Sequence, residues 1–536
     1  MKAKIIFTAV MLAALMAGAD LCAQPGGGRQ PGAGGGGMRG AGGMRGGMGG
    51  SSAGAEVTYT AGTPISNLWK LSSDGKYYYI VGLHYCTNPV EKNYEQMGIY
   101  VPATYLKANA DGTFSINTQG RAGGYTAATA PIVMPVNTPG YSAQGAPTGE
   151  ARNVQSYIDA GFIYLWAGCR GRDHGAPTGV TDLKAALRYF RYLAASQKAV
   201  PGDVQRVFSF GMSGGGAQSA IFGASGNSTL FDPYLKQIGA RTDQTDQLMG
   251  SMCWCPITNL DLADEAYEWN MGLTRSGLSD TESAMSKALA KAFADYINAI
   301  KLKHPQSGKV LTLTATPDGY YQGGSYYEYT MEVVNDAAAR YNKFSTQPTP
   351  LTPYFITTDP MALSTFASQE KRASKTIGAF DNYQSMRSPE NMLMGINGTA
   401  GHFDSHLADV VRQYSPDNYA AFTASLAADN RDSAGNNVTR RLMMYTPMYY
   451  LVDNSAYYPG GGTKASTVAP YWRIRTGIKQ GDTALSTEIN LAIALKAHSD
   501  VKAVDFETIW GKGHTEAEDT GTSAANFIEW VKECTR

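Results

Sequence analysis

The stretch Val207-Phe208-Ser209-Phe210-Gly211-Met212-Ser213-Gly214-Gly215-Gly216-Ala217-Gln218-Ser219-Ala220 joins a short apolar run to a run of small residues that can form a helix. Between the two runs lies the pattern G-x-S-x-G, with Ser213 at its centre. In a strand–turn–helix of this kind the serine sits on a sharp turn, and its hydroxyl projects above the sheet. Glycines flank the serine because a side chain there would collide with the tight backbone. The stretch therefore predicts a nucleophile elbow at Ser213. The alternative is a glycine-rich turn that contains a serine by chance.

Strand-like and helix-like segments alternate around this elbow. Residues 130–136 and 164–167 have the composition of buried strands, and Asp182 opens an amphipathic helix before the elbow strand. The alternation returns near the end of the chain, with strands at 471–475 and 503–510 and a helix after each. Strands that alternate with helices predict a parallel sheet with helices on both faces. We therefore expect the α/β class, with the mostly parallel, doubly wound sheet of an α/β-hydrolase fold.

The sheet pattern is interrupted from about residue 260 to about residue 440, where helical stretches and long polar, proline-bearing segments follow one another. An insertion of this size in a hydrolase sheet is typical of a lid over the active site. The predicted segments are a signal peptide (1–23), a disordered glycine-rich segment (24–56), a first part of the hydrolase core (57–259), a lid domain (260–440) and a second part of the core (441–536).

The N-terminal segment has the pattern of a targeting signal. Lys2 and Lys4 form a basic region, and the apolar run that follows, residues 5–18, is too short to span a bilayer comfortably. Cleavage is expected after Ala23. Cys22 suggests a lipid anchor as an alternative, although the bulky Leu21 before it argues against one. We expect an exported protein, periplasmic or extracellular, without stable membrane insertion after cleavage.

Composition excludes a general electrostatic attraction to nucleic acid or to anionic membranes. Lysine plus arginine equals aspartate plus glutamate, at 45 each. After signal cleavage five cysteines remain, so at least one thiol stays free unless it pairs between chains. The spacing of Cys253 and Cys255 is not that of a zinc or redox site. His402, Asp404 and His406 would share one face of a strand, but no third ligand segment accompanies them. We expect no metal and no cofactor.

A base and an acid for Ser213 are expected later in the chain. His514 lies in a glycine-flanked loop after the last predicted strand, and the order serine, acid, histidine is that of an α/β-hydrolase. Asp482 follows the penultimate strand and is the predicted acid. Gln480, an amide, occupies the position where the usual pattern places the acid. Asp505, inside the last strand, is the alternative acid.

Two backbone N–H groups are predicted to form the oxyanion hole. In hydrolases of this type one donor follows the nucleophile and the other lies in a loop after an earlier strand. The N–H groups of Gly214 and Gly140 are the candidates, although the HGGG sequence of many esterases is missing.

Several segments together resemble a known family, the bacterial subtype B tannases and related feruloyl-esterase-like α/β-hydrolases. The resemblance spans most of residues 57–536. The matching segments are Thr129-Ala130-Pro131-Ile132 with Gly140-Tyr141, Gly168-Cys169-Arg170-Gly171-Arg172, Asp182-Leu183-Lys184-Ala185-Ala186, the elbow with Gly223-Ala224-Ser225-Gly226-Asn227, Cys255-Pro256-Ile257-Thr258-Asn259-Leu260, Ala379-Phe380-Asp381, Ser388-Pro389-Glu390-Asn391 and Gly513-His514.

The resemblance implies serine-dependent hydrolysis of esters of phenolic acids. It also implies that a lysine and a glutamate of the lid, with an aspartate beside the catalytic acid, hold the hydroxyls of the acyl ring. Lys375 and Glu390 lie near the first two positions. Asp482 matches either the catalytic acid or its ring-binding neighbour, because only one carboxylate is present on that loop. This departure from the family pattern leaves the acyl group open between gallate and other aryl or plant-polymer esters.

The predicted reaction is a two-step acyl transfer through an acyl-enzyme, with no cofactor and a small-molecule ester as substrate. Two alternatives stay open at this point. One is a serine peptidase or another carboxylesterase on the same fold. The other is an exported, non-catalytic binding protein built on a hydrolase scaffold. The sequence does not indicate the oligomeric state.

Overall fold

The structure, a computed structural model, describes residues 64–198, 200–346, 362–426 and 431–536. The predicted signal peptide and glycine-rich segment lie outside the described residues. None of the helices within these ranges is long and apolar enough to cross a membrane.

Strands within the described ranges form one large sheet and two small two-stranded sheets. The strands are β1 (Lys70–Leu71), β2 (Tyr77–His84), β3 (Gln96–Pro102), β4 (Leu106–Ala108), β5 (Phe114–Ile116), β6 (Arg121–Ala122), β7 (Tyr125–Thr126), β8 (Ile132–Val136), β9 (Ile163–Ala167), β10 (Val207–Met212), β11 (Gly250–Trp254), β12 (Tyr471–Gly477) and β13 (Ala503–Ile509). The order in the large sheet is β1-β2-β3-β9-β8-β10-β11-β12-β13. Pairs from β9 to β13 along this order are parallel, whereas β1, β2, β3 and β9 pair antiparallel.

Helices connect and flank these strands. Those of the described ranges are α1 (Gln155–Asp159), α2 (Thr178–Gln197), α3 (Gly214–Ala224), α4 (Asp232–Gln237), α5 (Ala263–Met271), α6 (Asp280–Ile300), α7 (Ser325–Phe344), α8 (Ala362–Glu370), α9 (Pro389–Met394), α10 (Ser405–Tyr414), α11 (Pro416–Leu426), α12 (Val438–Met444), α13 (Met448–Leu451), α14 (Leu485–Ala497) and α15 (Ser523–Thr535). Helix α2 begins four residues before Asp182, which is buried inside it.

The large sheet has a hydrophobic core on each face. Consecutive residues of a strand point to opposite faces, so Val207 and Phe208 of β10 belong to different clusters. Helices α1 and α15 contribute Tyr157 and Phe527 to the cluster that holds Phe208. Helices α2, α3 and α14 contribute to the cluster that holds Val207. A mostly parallel sheet covered on both faces confirms the predicted fold class.

Helices α5 to α13 all lie between β11 and β12 in the chain. This region packs onto the sheet layer through buried polar as well as apolar contacts. In one of them the Tyr326 hydroxyl of α7 donates to Asn490 Oδ1 of α14 over 2.6 Å. The function of residues 260–440 as a lid stays a prediction.

Candidate active site

Ser213 lies at the turn between β10 and α3, with φ 61° and ψ −123°. This region of backbone space is rarely populated by a residue with a side chain, and such strain is concentrated at functional sites. The glycines around the turn allow the backbones to approach closely. A Cβ added at Gly211 would lie 2.5 Å from the carbonyl oxygens of both Gly215 and Val136. The predicted elbow is thus present in the structure.

His514 follows β13 and meets the serine. Its Nε2 lies 2.8 Å from Ser213 Oγ. Burial lowers the pKa of His514, with Asp482 acting in the opposite direction. A neutral imidazole that carries its proton on Nδ1 accepts the serine proton at Nε2, which is the geometry a general base needs.

The amide of Gln480 is the hydrogen-bond partner of Nδ1. Gln480 Oε1 lies 2.8 Å from His514 Nδ1, whereas Asp482 Oδ2 lies 3.7 Å from it. The structure therefore corrects the expected contact: the Gln480 amide, and not the predicted acid Asp482, is hydrogen-bonded to His514 Nδ1. The reason is local, because Gln480 precedes Asp482 in the loop after β12 and its side chain lies beside the imidazole. The role of Asp482 in catalysis stays a prediction.

Asp505, the alternative acid, is engaged elsewhere. Its Oδ2 lies 3.3 Å from Arg473 Nε and 2.6 Å from an Arg475 guanidinium nitrogen. These ion pairs tie β13 to β12, which fits a structural role.

The loops that carry Gln480 and His514 pack directly against each other at Gly477 and Gly513. A Cβ added at Gly477 would overlap the carbonyl oxygen of Gly513. The Lys479 N–H donates to the carbonyl of Lys512 over 2.9 Å. Because no side chain separates the two loops, the imidazole comes within reach of the Gln480 amide.

Behind Gln480 lies a fully buried polar group. Gln480 Nε2 donates to Thr476 Oγ1 and, over 2.9 Å, to Glu488 Oε1. Thr476 Oγ1 donates to the same Glu488 oxygen over 3.1 Å. The ammonium of Lys371 donates to the backbone carbonyl of Gln480. In the sequence Gln480 stands out only as an unexpected amide. Nothing near Glu488 in the sequence indicates its contact with Gln480, because that contact depends on the packing of the buried helix α14.

The two predicted oxyanion donors lie side by side. Gly214 is the first residue of α3, so its N–H has no acceptor within the helix. A Cβ added at Gly214 would lie 3.2 Å from the Gly140 nitrogen. Gly140 adopts φ 54°, and its carbonyl accepts from Arg172 Nη1 over 2.5 Å. Their role as an oxyanion hole stays a prediction, supported by this proximity.

Lys375 and Glu390, the predicted ring-binding residues, belong to the inserted region between β11 and β12. Lys375 acts electrostatically on both His514 and Glu390. Its ammonium lies 4.0 Å from the centre of the Phe380 ring. Burial raises the pKa of Glu390, while Lys375 and Arg172 oppose that shift. Lys375 is thus within electrostatic range of both His514 and the buried carboxyl of Glu390.

The segment around His402 is not a strand. Asp404 caps α10 by accepting from the N–H groups of His406 and Leu407, and His402 Nδ1 lies 2.6 Å from Asp381 Oδ1. Among the described residues no group of three or more His, Cys, Asp or Glu side chains could hold a metal ion. Five cysteines of the described ranges are free thiols: Cys86, Cys169, Cys253, Cys255 and Cys534.

Comparison with solved structures places this chain beside bacterial tannases. A tannin acyl hydrolase from Lactobacillus plantarum is 26% identical, with a TM-score of 0.68, and the match covers 88% of this chain and 98% of that one. A tannase from Fusobacterium nucleatum is 27% identical, with a TM-score of 0.68, over 88% and 99% of the two chains. A tannin acyl hydrolase in complex with ethyl gallate is 28% identical, with a TM-score of 0.65, over 86% and 94%. The predicted resemblance is confirmed. No protein-family model and no curated protein matches the chain.

Proposed function

We propose that this protein is a serine esterase that hydrolyses carboxylic esters of phenolic acids, with Ser213 as nucleophile and His514 as general base. The observation that carries the proposal is the 2.8 Å contact between His514 Nε2 and Ser213 Oγ at a strained elbow. The similarity to tannin acyl hydrolases over most of both chains supports the ester class and the phenolic acyl group.

The reaction proceeds through an acyl-enzyme. Ser213 Oγ attacks the ester carbonyl while His514 Nε2 takes its proton, and the same proton then passes to the leaving alcohol. The N–H groups of Gly140 and Gly214 stabilise the oxyanion of each tetrahedral intermediate. Water, deprotonated by His514, hydrolyses the acyl-enzyme and releases the acid.

Gln480 takes the third position of the triad in this proposal. Its side-chain oxygen accepts a hydrogen bond from the Nδ1–H group of His514 and so leaves Nε2 free as the base. An amide supplies a dipole instead of a full charge to the imidazolium that forms. Asp482, 3.7 Å from Nδ1, supplies the nearest carboxylate charge without a direct hydrogen bond.

Lys375, Glu390 and Asp482 are proposed to bind the hydroxyl groups of the acyl ring. With Gln480 beside the imidazole, Asp482 is free to face the substrate, and 47% of its side chain is exposed. Lys375 offers only donors, and the carboxyls of Glu390 and Asp482 offer acceptors, which suits phenolic hydroxyls that both donate and accept.

The first test is the Ser213→Ala variant. It is expected to lose turnover of p-nitrophenyl and gallate esters and to resist covalent labelling by a fluorophosphonate, because no other group forms the acyl-enzyme. Ser196→Ala, which removes an exposed hydroxyl from α2, is the matched control and keeps wild-type turnover. Retained activity in Ser213→Ala would reject the assignment.

A substrate panel separates the proposed esterase from its alternatives. Faster turnover of gallate or ferulate esters than of acetate esters supports the phenolic acyl group. Faster cleavage of peptides would indicate a serine peptidase. Tight binding of phenolic esters without labelling of Ser213 would indicate a binding protein on a hydrolase scaffold.

Export of the protein is also proposed, on the basic and apolar pattern of its first residues. N-terminal sequencing of protein recovered from the periplasm or medium is expected to begin at Gln24. A mature chain that begins at a lipid-modified Cys22 would indicate the anchored alternative.

A further inference from the structure

We propose that Glu488 is a positioning residue for His514: its carboxylate holds the Gln480 amide in the one orientation that keeps the imidazole proton on Nδ1. This inference rests on the proposed esterase reaction, because it concerns the base of that reaction. Among the described residues, Glu488 is hydrogen-bonded to Thr476 and Gln480 and not to His514. It acts through a chain of three side chains, Glu488, Gln480 and His514.

The orientation of the Gln480 amide decides which nitrogen of His514 carries the proton. A glutamine side chain has an accepting oxygen at one corner and a donating NH₂ at the other, with nearly the same shape. With Oε1 toward His514, the ring must donate from Nδ1, and Nε2 is left as an acceptor for the Ser213 proton. With Nε2 of Gln480 toward the ring, Nδ1 must accept, so the ring proton moves to the nitrogen that faces Ser213. The second arrangement has no base at the serine.

An ionised carboxylate behind Gln480 permits only the first orientation. Carboxylate oxygens accept and do not donate, so Glu488 Oε1 requires an N–H from Gln480. The same oxygen accepts from Thr476 Oγ1 over 3.1 Å, which leaves that hydroxyl able to accept the second Gln480 N–H. Both amide protons are thereby used, and the oxygen of Gln480 faces the imidazole.

The surroundings of Glu488 bear on its charge. Its side chain is 0% exposed, and its Oε2 has no hydrogen-bond partner among the described residues. Burial raises the pKa of Glu488 to about 7, and the nearby Lys371 ammonium opposes that shift. Glu488 lies in the first turn of α14, where the helix dipole favours a negative charge.

The other titratable groups around Glu488 are Lys371 and the Cys255 thiol. Burial lowers the pKa of Lys371 to about 8 and raises that of Cys255 to about 11. The raised pKa keeps the Cys255 thiol neutral near pH 7. As the pH falls through about 7, Glu488 gains a proton and becomes a donor that competes for the Gln480 oxygen. The preference of His514 for the Nδ1-protonated tautomer is therefore expected to weaken as the pH falls.

The test is the tautomer of His514, observed by NMR of protein with ¹⁵N-labelled histidine and assigned with His514→Gln. At about pH 8 the wild type is expected to carry the proton on Nδ1. Glu488→Met removes the acceptor and is expected to give a mixture of both tautomers. It is also expected to lower kcat on the order of 10- to 100-fold, with KM nearly unchanged, by analogy with the partners that orient a metal-bound histidine.

A compensating double variant provides the rescue. In Gln480→Glu with Glu488→Gln, a carboxylate faces His514 and an amide behind it donates to that carboxylate. The hydrogen bond between positions 480 and 488 is reversed, but an acceptor still faces His514 Nδ1. Recovery of the Nδ1 tautomer and of kcat to within about tenfold of wild type is expected. Loss of a merely structural carboxyl would not be repaired by a change at position 480.

Asp261→Asn is the matched control, because Asp261 is also buried and accepts from two hydroxyls, Thr446 and Tyr458, away from Gln480. It is expected to leave the His514 tautomer unchanged. If Glu488→Met does not fold, Glu488→Gln alone replaces it, with a smaller expected effect in the same direction. The inference is overturned if the Glu488 variant keeps both the wild-type tautomer and the wild-type kcat, or if the wild type carries its proton on Nε2. The tautomer does not depend on the substrate, so absent phenolic esterase activity rejects the proposed function and not this inference.

Discussion

At the scale of single residues, the unusual feature is that an amide, Gln480, is hydrogen-bonded to the proposed base, His514. The Gln480 oxygen accepts from His514 Nδ1 over 2.8 Å, and Asp482 lies farther away at 3.7 Å. In the proposed reaction, two functions that one carboxylate performs in a Ser-His-Asp triad are divided between two residues. Gln480 is proposed to select the tautomer of His514, and Asp482 is proposed to contribute negative charge.

This division predicts unequal losses for two variants. Gln480→Ala removes the acceptor, and kcat/KM is expected to fall on the order of 10³-fold because the tautomer is no longer held. Asp482→Asn keeps the amide contact and removes a half-exposed charge, so a loss of about tenfold or less is expected for an acetate ester. Steady-state kinetics of both variants measure the ratio.

The pH dependence of kcat/KM provides a second test of the role of Asp482. Asp482 raises the pKa of His514 against the effect of burial, so its removal is expected to move the acid limb of kcat/KM to lower pH. If Asp482→Asn lowers kcat/KM more than Gln480→Ala does, Asp482 and not Gln480 is the triad partner of His514.

At the scale of elements, the site depends on how closely the loops after β12 and β13 approach. Gly477 ends β12 and lies directly against the backbone of Gly513. Position 477 requires glycine because a Cβ would collide with the Gly513 carbonyl oxygen, and not because its φ is left-handed. The paired loops then set the distance between Gln480 and His514.

Gly477→Ala is therefore expected to displace the His514 loop and to lower kcat/KM about 100-fold or more, with the thermal midpoint lowered as well. The matched control is Gly513→Ala, because a Cβ there would meet no described heavy atom within 4 Å. That control is expected to keep activity within a few fold. Equal activity of the two variants, measured with p-nitrophenyl acetate, would contradict the steric argument.

At the scale of the whole molecule, the inserted region and the sheet meet at the candidate site. The Tyr267 hydroxyl of α5 accepts from the N–H groups of Ser374 and Lys375, over 2.9 and 3.1 Å, and donates to the Gly481 carbonyl over 2.9 Å. Arg275 Nη1 donates to the Lys375 carbonyl over 2.6 Å. The backbone of Lys375 is thus held by Arg275 and by Tyr267 of α5, and Tyr267 is itself hydrogen-bonded to the loop after β12.

Lys375→Met tests whether this placement serves substrate binding. Methionine preserves most of the packing on Phe380 but removes the donors, so KM for gallate esters is expected to rise about tenfold, while kcat/KM for acetate esters changes little. Lys291→Met, at an exposed position of α6, is the control and is expected to change neither value. An equal effect on gallate and acetate esters would show that Lys375 does not recognise the ring.

The fold class and the meeting of Ser213 with His514 could be predicted because their signals are local or ordered along the chain. Ser213 has a motif, and His514 follows the last strand in the order that the fold requires. The amide at Gln480 was visible in the sequence, but which of Gln480 and Asp482 reaches the imidazole depends on the turn after β12. That turn is held by contacts with the loop after β13, which no local pattern encodes.

Long-range contacts explain the remaining differences. Glu488 reaches Gln480 only because α14 packs beneath β12, so its sequence neighbours give no hint of the contact. The alternation at His402, Asp404 and His406 suggested a shared strand face. Instead Asp404 starts a helix, and His402 is bonded to Asp381, a residue 21 positions away.

The parallel pairing of β11 with β12 also has a consequence for the order of folding. Residues 255–470 lie between these neighbours, so their pairing must first overcome the entropy of closing a very long loop. During synthesis the segment with Ser213 leaves the ribosome long before those with Gln480 and His514. A nascent or C-terminally shortened chain therefore contains the serine without its base. Reactivity of Ser213 reports that the last strands of the sheet have assembled, and during refolding it is expected to return after most of the helical structure.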